Sequence, residues 1–307
     1  MIMDFLDRID FEQHDGVYLS MLNDISRNHF YNQILTEVHD QHCVEIGFGT
    51  GLLSMLALKH GARSIVAYES DSDRYRLGCE VIKILKLQDR ITLINQRYNH
   101  DFDHDQNVVF TETVDGNIWG EGLYNSLPRQ TGKKFLPGQY FLEIYAVPMS
   151  TDSACNLIRT HEKNYFFPGV DVDPRFVSYI NLLLSKKYNK RIRSKMGLPP
   201  GVTELPCSTA HVACTNNNNY AGQYVVDANA SFVDNPVRTL QVDTEDRPVL
   251  IVPRAGMQHN QHRLYLDTGH WKLPTYPAVI NAPNSKVIVE HDLRTGKISY
   301  KIKEKHE

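Results

Sequence analysis

Several features are scarce or missing in this sequence, and each absence narrows what the chain can be. No apolar run approaches the roughly 20 residues that cross a bilayer as a helix. The opening stretch MIMDFLDRIDFEQHD is acidic and has no apolar centre of the kind a secretory signal needs. A soluble cytoplasmic protein without membrane contact is expected. Positive charge is not in excess: 33 Lys and Arg against 36 Asp and Glu leave a net charge of −3, the wrong sign for non-specific nucleic-acid binding. The five cysteines, Cys43, Cys79, Cys155, Cys207 and Cys214, form no CxxC pair and read as reduced thiols or small apolar packing residues. His259, His262 and the run His100-Asp-Phe-Asp-His104 lack a third ligand at metal-binding spacing. Loop positions and no metal are expected there. No internal repeat is visible.

What is present is a chain of 307 residues, 41% apolar, long enough for two domains with real cores. The first half alternates between two periods. Apolar residues from Asp15 to Val38 recur near helical spacing, as they do over Leu52–His60 and Asp71–Leu87. Between them, 42–46, 64–68, 91–95 and 107–111 are short runs apolar on both faces, as strands of a covered parallel sheet are. After about Gly138 the pattern changes. Segments 139–147, 223–227, 238–243, 249–252, 286–291 and 297–303 are rich in Val, Ile and Tyr and separated by turn residues, which predicts a mostly antiparallel sheet or barrel. One helix, 175–196, interrupts it. The expected fold is α/β: a Rossmann-like domain over 1–146, then a β-barrel-like domain over 147–307 with a helical insertion.

Three stretches carry chemistry. Cys43–Leu53, CVEIGFGTGLL, is a strand, a loop with Gly47, Gly49 and Gly51, and a helix start. Such a loop lets backbone approach a ligand and offers amide donors. A dinucleotide fingerprint would need glycine at 52, where leucine stands. Glu69 closes the next strand, placed to accept from both hydroxyls of a ribose. Glycine loop plus strand-end acid is the pattern of S-adenosylmethionine enzymes, with a structural turn or a nicotinamide site as alternatives. The third stretch, Thr111–Leu127, reads TETVDGNIWGEGLYNSL and sets Glu112 and Glu121 nine positions apart. Two carboxylates at the ends of one loop suit a positive group between them, solvated loop charges being the bland alternative.

With Met21-Leu-Asn-Asp24-Ile-Ser-Arg27 and Gly269-His270-Trp271-Lys272, these passages resemble the protein arginine methyltransferases, most closely the subfamily that forms only monomethylarginine. The resemblance is nearly continuous over the first half and patchy over the second. It implies S-adenosylmethionine as cofactor and arginine in a protein or peptide as substrate. It implies that Glu112 and Glu121 grip the guanidinium, whose planar fork of N–H donors suits carboxylates, with Trp271 beside the substrate. It implies that Asp24 and His270 pair as orienter or proton route. For the cofactor it implies Arg27 on the carboxylate, with Met21, Tyr18, Glu45, Gly47, Gly49, Gly51 and Glu69 around it. Tyr98 and Asn99 fall at the adenine, Asn99 standing where the family often has glutamate. It further implies a homodimer through the 175–196 helix, whose basic run from Lys186 to Lys195 reads otherwise as a solvated face. Two rivals stay open: a methyltransferase acting on a small molecule or nucleic acid, and an inactive cofactor-binding scaffold.

Overall fold

The structure, a computed structural model, describes residues 21–99, 107–127, 132–148, 202–204, 219–230, 235–247, 249–266 and 278–304. Two compact units make up the chain. The first comprises Met1–Phe141, Val225–Asp234 and Gly256–Trp271; the second comprises Leu142–Tyr224, Asn235–Ala255 and Lys272–Glu307. No helix among the described residues is long and apolar enough to cross a membrane.

Among the described residues the elements run, in chain order, helix α1 (Ile25–Ile34), a 3-10 turn (Leu35–Val38) and strand β1 (His42–Ile46). Then come α2 (Leu52–Lys59), β2 (Ser64–Tyr68), α3 (Ser72–Ile84), β3 (Ile91–Ile94), β4 (Val108–Thr111), the short α4 (Leu123–Ser126) and β5 (Lys134–Leu136). The five strands form one parallel sheet in the order β3-β2-β1-β4-β5. All four residues of β4 and the last four of β1 are buried, so the sheet is covered on both faces, as the unbroken apolar runs require.

The remaining strands are β6 (Gln139–Pro148), β7 (Val202–Glu204), β8 (Tyr220–Asp227), β9 (Val237–Asp243), β10 (Val249–His259), β11 (His262–Tyr265), β12 (Ala278–Ile280), β13 (Ser285–Asp292) and β14 (Lys297–Glu304). A six-stranded sheet runs β7-β12-β10-β6-β8 with β11 beside β10, and a three-stranded sheet runs β14-β13-β9. The pairings of β7 with β12, β12 with β10, β10 with β11, β14 with β13 and β13 with β9 are antiparallel.

The continuous helix expected from Asp15 to Val38 breaks at Asp24, whose backbone is extended (φ −77°, ψ 95°). Its carboxylate accepts from the Arg27 N–H at 3.0 Å, and a side chain that caps a helix start cannot also sit inside the preceding helix. The expected helix 175–196 lies outside the described residues.

Candidate active site

The strand order places β1 between β2 and β4, and in open α/β sheets ligands settle at the carboxyl ends where the order reverses. Three loops meet that edge. After β1, Gly47, Gly49 and Gly51 all take positive φ. At Gly51 the need is steric as well, because a Cβ would stand 2.6 Å from the Phe48 ring. After β2, Glu69 Oε2 accepts from Gly49 N–H at 2.8 Å and Oε1 from Asp71 N–H at 2.9 Å. The strand-end acid therefore clasps the glycine loop. Each carboxylate oxygen has two lone pairs, so both can still receive a pair of adjacent hydroxyls.

Glu45, on β1 beneath the same loop, is 1% exposed. The Ser54 hydroxyl donates to its Oε2, whereas Oε1 has no hydrogen-bond partner among the described residues. Burial pushes its pKa up to about 8, against the pull of Ser54 and Arg27. A small cation arriving at Oε1 would suit this acid better than solitude does.

The third loop follows β4, and its first glutamate is not alone. Arg27 Nη2 donates to Glu112 Oε2 at 2.9 Å, and Nη1 donates to Asn28 Oδ1 at 3.0 Å. The guanidinium is 2% exposed. Burial works most strongly against its charge, but Glu112, joined by Tyr31 and Asp24, more than offsets it and raises its pKa. Arg27 Nε has no acceptor among the described residues, so one N–H of the fork remains for another anion. Tyr31, one turn further along α1, is fully buried and donates to Thr111 O at 2.9 Å. This fastens the helix to the residue before Glu112.

Asp115 folds the rest of that loop. Its Oδ1 accepts from Asn117 N–H at 3.1 Å and Gly120 N–H at 3.0 Å, while its backbone carbonyl accepts from Ile118 N–H at 2.8 Å. A Cβ on Gly120 would lie 2.0 Å from Asp115 Oδ2, so any side chain there would push the Asp115 carboxylate from its place. Trp119 is fully buried beneath it, and Glu121 follows on the exposed side. The two glutamates thus flank a turn anchored at both ends. One carboxylate is half-buried and paired with a buried guanidinium; the other is exposed.

Other sequence-predicted residues fall as follows. Met21 is half-buried just before the Asp24 cap. Tyr98 is buried edge-on against Tyr68, with ring centroids 5.3 Å apart, and burial lifts its pKa to about 12; Asn99 is exposed. Tyr18, His270 and Trp271 lie outside the described residues, as do His100 and His104. The loop expected at His259 and His262 is instead a strand hairpin, the two facing each other across β10 and β11. Gly138 N–H donates to His259 Nδ1 at 3.1 Å. Nε2 therefore carries the proton, 3.1 Å from Glu37 Oε2 but without hydrogen-bond alignment. Glu37 also meets Lys134. Turn-like Asn260-Gln261 concealed the strands on either side.

Sequence reading missed Tyr31 and Asp115. Tyr31 carried a signal, since four residues beyond Arg27 is the same helix face. Asp115, five residues before a glycine, carried a weak one.

Comparison with known proteins places these features. No protein-family model matches the chain. Over 116 residues it is 36% identical to protein arginine N-methyltransferase 9 of Mus musculus, covering 35% of this chain and 14% of that protein. Over 122 residues it is 32% identical to protein arginine N-methyltransferase 7 of Anopheles gambiae, covering 35% and 18%. The chain thus spans only a small part of the length of the curated relatives it matches. Among solved structures, PRMT6 crystallised with SAH aligns over 94% of this chain and 99% of its own, with a TM-score of 0.61 and 15% identity. Protein arginine methyltransferase 10 of Arabidopsis thaliana aligns over 91% and 87%, with a TM-score of 0.56 and 14% identity. The fold is that of these structures: a Rossmann-like parallel sheet with an antiparallel β portion.

Proposed function

We propose that the chain transfers a methyl group from S-adenosylmethionine to a guanidino nitrogen of arginine in a protein or peptide, and stops at monomethylarginine. The observation that carries this reading is the buried Arg27–Glu112 pair. It joins the helix arginine assigned to the cofactor carboxylate to the first glutamate assigned to the substrate, at the sheet edge where Glu69 clasps the glycine loop.

The residues present fit the cofactor. Among the described residues Arg27 Nε–H is a buried donor without an acceptor, suited to a carboxylate, and Glu45 Oε1 is a buried acceptor without a donor, suited to an ammonium. Glu69 suits a ribose diol, and Tyr98 and Asn99 are assigned to the adenine. Met21 and Tyr18 are assigned to closure over the bound cofactor. When bound, the cofactor supplies an electrophilic methyl group on a positively charged sulfur.

Glu112 and Glu121 hold the guanidinium from two sides, by charge-assisted hydrogen bonds each contributing roughly 1.5–3 kcal/mol. They draw its positive charge toward the nitrogens they bind, which leaves the third nitrogen more nucleophilic and aimed for in-line attack. Trp271 is assigned to the substrate, and Asp24 with His270 to orientation and proton removal. The monomethyl product rests on the Gly120-Glu121-Gly122 resemblance. In this reading residues 1–146 bind the cofactor, and 147–307 form a barrel-like substrate and dimerisation domain of a cytoplasmic enzyme. A homodimer would form through the 175–196 helix, whose Phe176, Tyr179, Ile180, Leu183 and Leu184 recur at helical spacing. Light scattering that finds only monomer at micromolar concentration rejects that part.

The test is a peptide array incubated with methyl-labelled cofactor, alongside copies in which each arginine is lysine. Label should appear only where arginine is present. Label on nucleic acid or metabolites, with none on arginine, moves the chain to a different methyltransferase. Cofactor binding without transfer to anything makes it a scaffold.

A further inference from the structure

Glu112 is held at its tip and at its root by different groups. At the tip, Arg27 Nη2 donates to the carboxylate at 2.9 Å. The root is the backbone between Thr111 and Thr113, and there the two threonines meet. Thr111 is 0% exposed, and its hydroxyl donates to Ile46 O, at the end of β1, at 2.9 Å. The hydroxyl oxygens of Thr111 and Thr113 stand 2.9 Å apart. A hydroxyl has one proton and two lone pairs. Thr111 gives its proton to Ile46 O, so the Thr113 hydroxyl is the donor between the two. Thr111 Oγ1 also accepts from Thr113 N–H at 3.1 Å. One fully used hydroxyl therefore ties β1 to the residue after Glu112.

The other branch of Thr113 meets the glycine loop. A Cβ on Gly47 would lie 2.7 Å from the Thr113 methyl carbon, Cγ2, so the methyl rests on Gly47 where a side chain would otherwise stand. Gly47 is itself pinned: its N–H donates to Tyr68 O at 3.0 Å, and Phe48 N–H donates to the same oxygen at 2.9 Å. The methyl thus bears on a fixed surface. Valine would supply this shape without the hydroxyl, and serine the hydroxyl without the methyl. Threonine supplies both contacts from one side chain, one residue away from the carboxylate that must be aimed.

We infer that Thr113 is a positioning residue: its hydroxyl locks the Glu112 backbone to Thr111, and its methyl sets the distance of that backbone from the glycine loop. The Glu112 carboxylate is thereby placed relative to the loop that receives the cofactor. The effect on turnover rests on the arginine-methylation reading, whereas the contacts with Thr111 and Gly47 do not.

The test separates the two branches. Thr113→Val keeps the methyl and deletes the hydroxyl, while the backbone N–H can still donate to Thr111 Oγ1. Thr113→Ser keeps the hydroxyl and deletes the methyl. In protein carrying 13C-carboxyl glutamate, the Glu112 resonance is assigned by its disappearance in Glu112→Gln; it should shift in Thr113→Val and return in Thr113→Ser. With an arginine peptide, kcat of Thr113→Val should fall about ten- to a hundredfold, as misplacement of a positioned group does. Its melting temperature and its affinity for S-adenosylhomocysteine should be unchanged. Thr113→Ser should recover kcat to within about fourfold, the share of one methyl. An unmoved Glu112 resonance in Thr113→Val overturns the inference whatever the turnover. A fall in kcat matched by lower melting temperature and weaker cofactor binding makes Thr113 a structural residue and overturns it too, as does a serine variant no better than valine. If the wild-type protein methylates no arginine, the functional reading fails separately, and the resonance still decides the positioning.

Discussion

Glu112→Gln and Glu121→Gln are the same chemical change at the two ends of one loop, yet the structure gives them different consequences. Glu112 neutralises a guanidinium that is only 2% exposed, across 2.9 Å. Removing one partner of a buried pair costs about 3–5 kcal/mol when nothing replaces it. Glutamine still offers a neutral acceptor, worth about 1 kcal/mol, so a loss of about 2–4 kcal/mol is expected. For a folding unit of this size each kcal/mol moves the melting temperature by roughly 2–4 °C, giving a drop of roughly 4–16 °C for Glu112→Gln. Glu121 is exposed, and changes of that kind stay within about 0.5 kcal/mol, so its melting temperature should shift by no more than about 2 °C. Turnover should fall in both, by roughly a hundredfold if about 3 kcal/mol of transition-state stabilisation disappears. Differential scanning calorimetry beside a methyl-transfer assay reads both quantities. Wild-type stability in Glu112→Gln refutes the buried ion pair, and wild-type turnover in either variant refutes the two-carboxylate grip.

Glu69→Ala leaves the Gly49 and Asp71 N–H groups without their acceptor; affinity for S-adenosylhomocysteine should weaken by about 1–3 kcal/mol, and an unchanged calorimetric Kd would remove Glu69 from the site. Gly120→Ala drives a methyl toward Asp115 Oδ2, so cofactor affinity should survive while turnover drops; full activity would mean the loop's shape is dispensable. Glu45 is a buried acid with a raised pKa of about 8, so its contribution to stability is complete below its ordinary value of 4.5 and is lost as pH rises through about 8. Glu45→Gln is neutral at every pH and should flatten that decline; denaturant melts at several pH values between these limits that show equal slopes for both proteins would count against the buried acid.

The parallel sheet was readable because its strands are buried on both faces. The bounds of β1 and β2 match the apolar runs 42–46 and 64–68, and no competing period overlaps them. Other elements escaped for identifiable reasons. Strands β5, β7 and β12 are three residues long, too short for any period to register. The reading of β10 stopped at Val252 because Pro253 and Gly256 look like breakers, yet the strand continues to His259. A Cβ on Gly256 would lie 2.1 Å from the Phe141 ring, so this glycine admits a neighbour rather than ending a strand. Within the site, the glycine loop, Glu69 and both glutamates stood out through motif and spacing, and Arg27 only through the family resemblance. That Arg27 would bind Glu112, 85 positions away, depends on how α1 meets the end of β4. No local pattern encodes that meeting.

The most direct measurement is tandem mass spectrometry of an arginine peptide after prolonged incubation with the protein and S-adenosylmethionine, run beside Glu112→Gln and Glu121→Gln. One methyl on a guanidino nitrogen is expected from the wild-type protein, with no dimethylated product at any time and almost nothing from either variant. Dimethylarginine would contradict the assigned product. No methylarginine from any peptide, in a protein that binds the cofactor, would contradict arginine methylation itself.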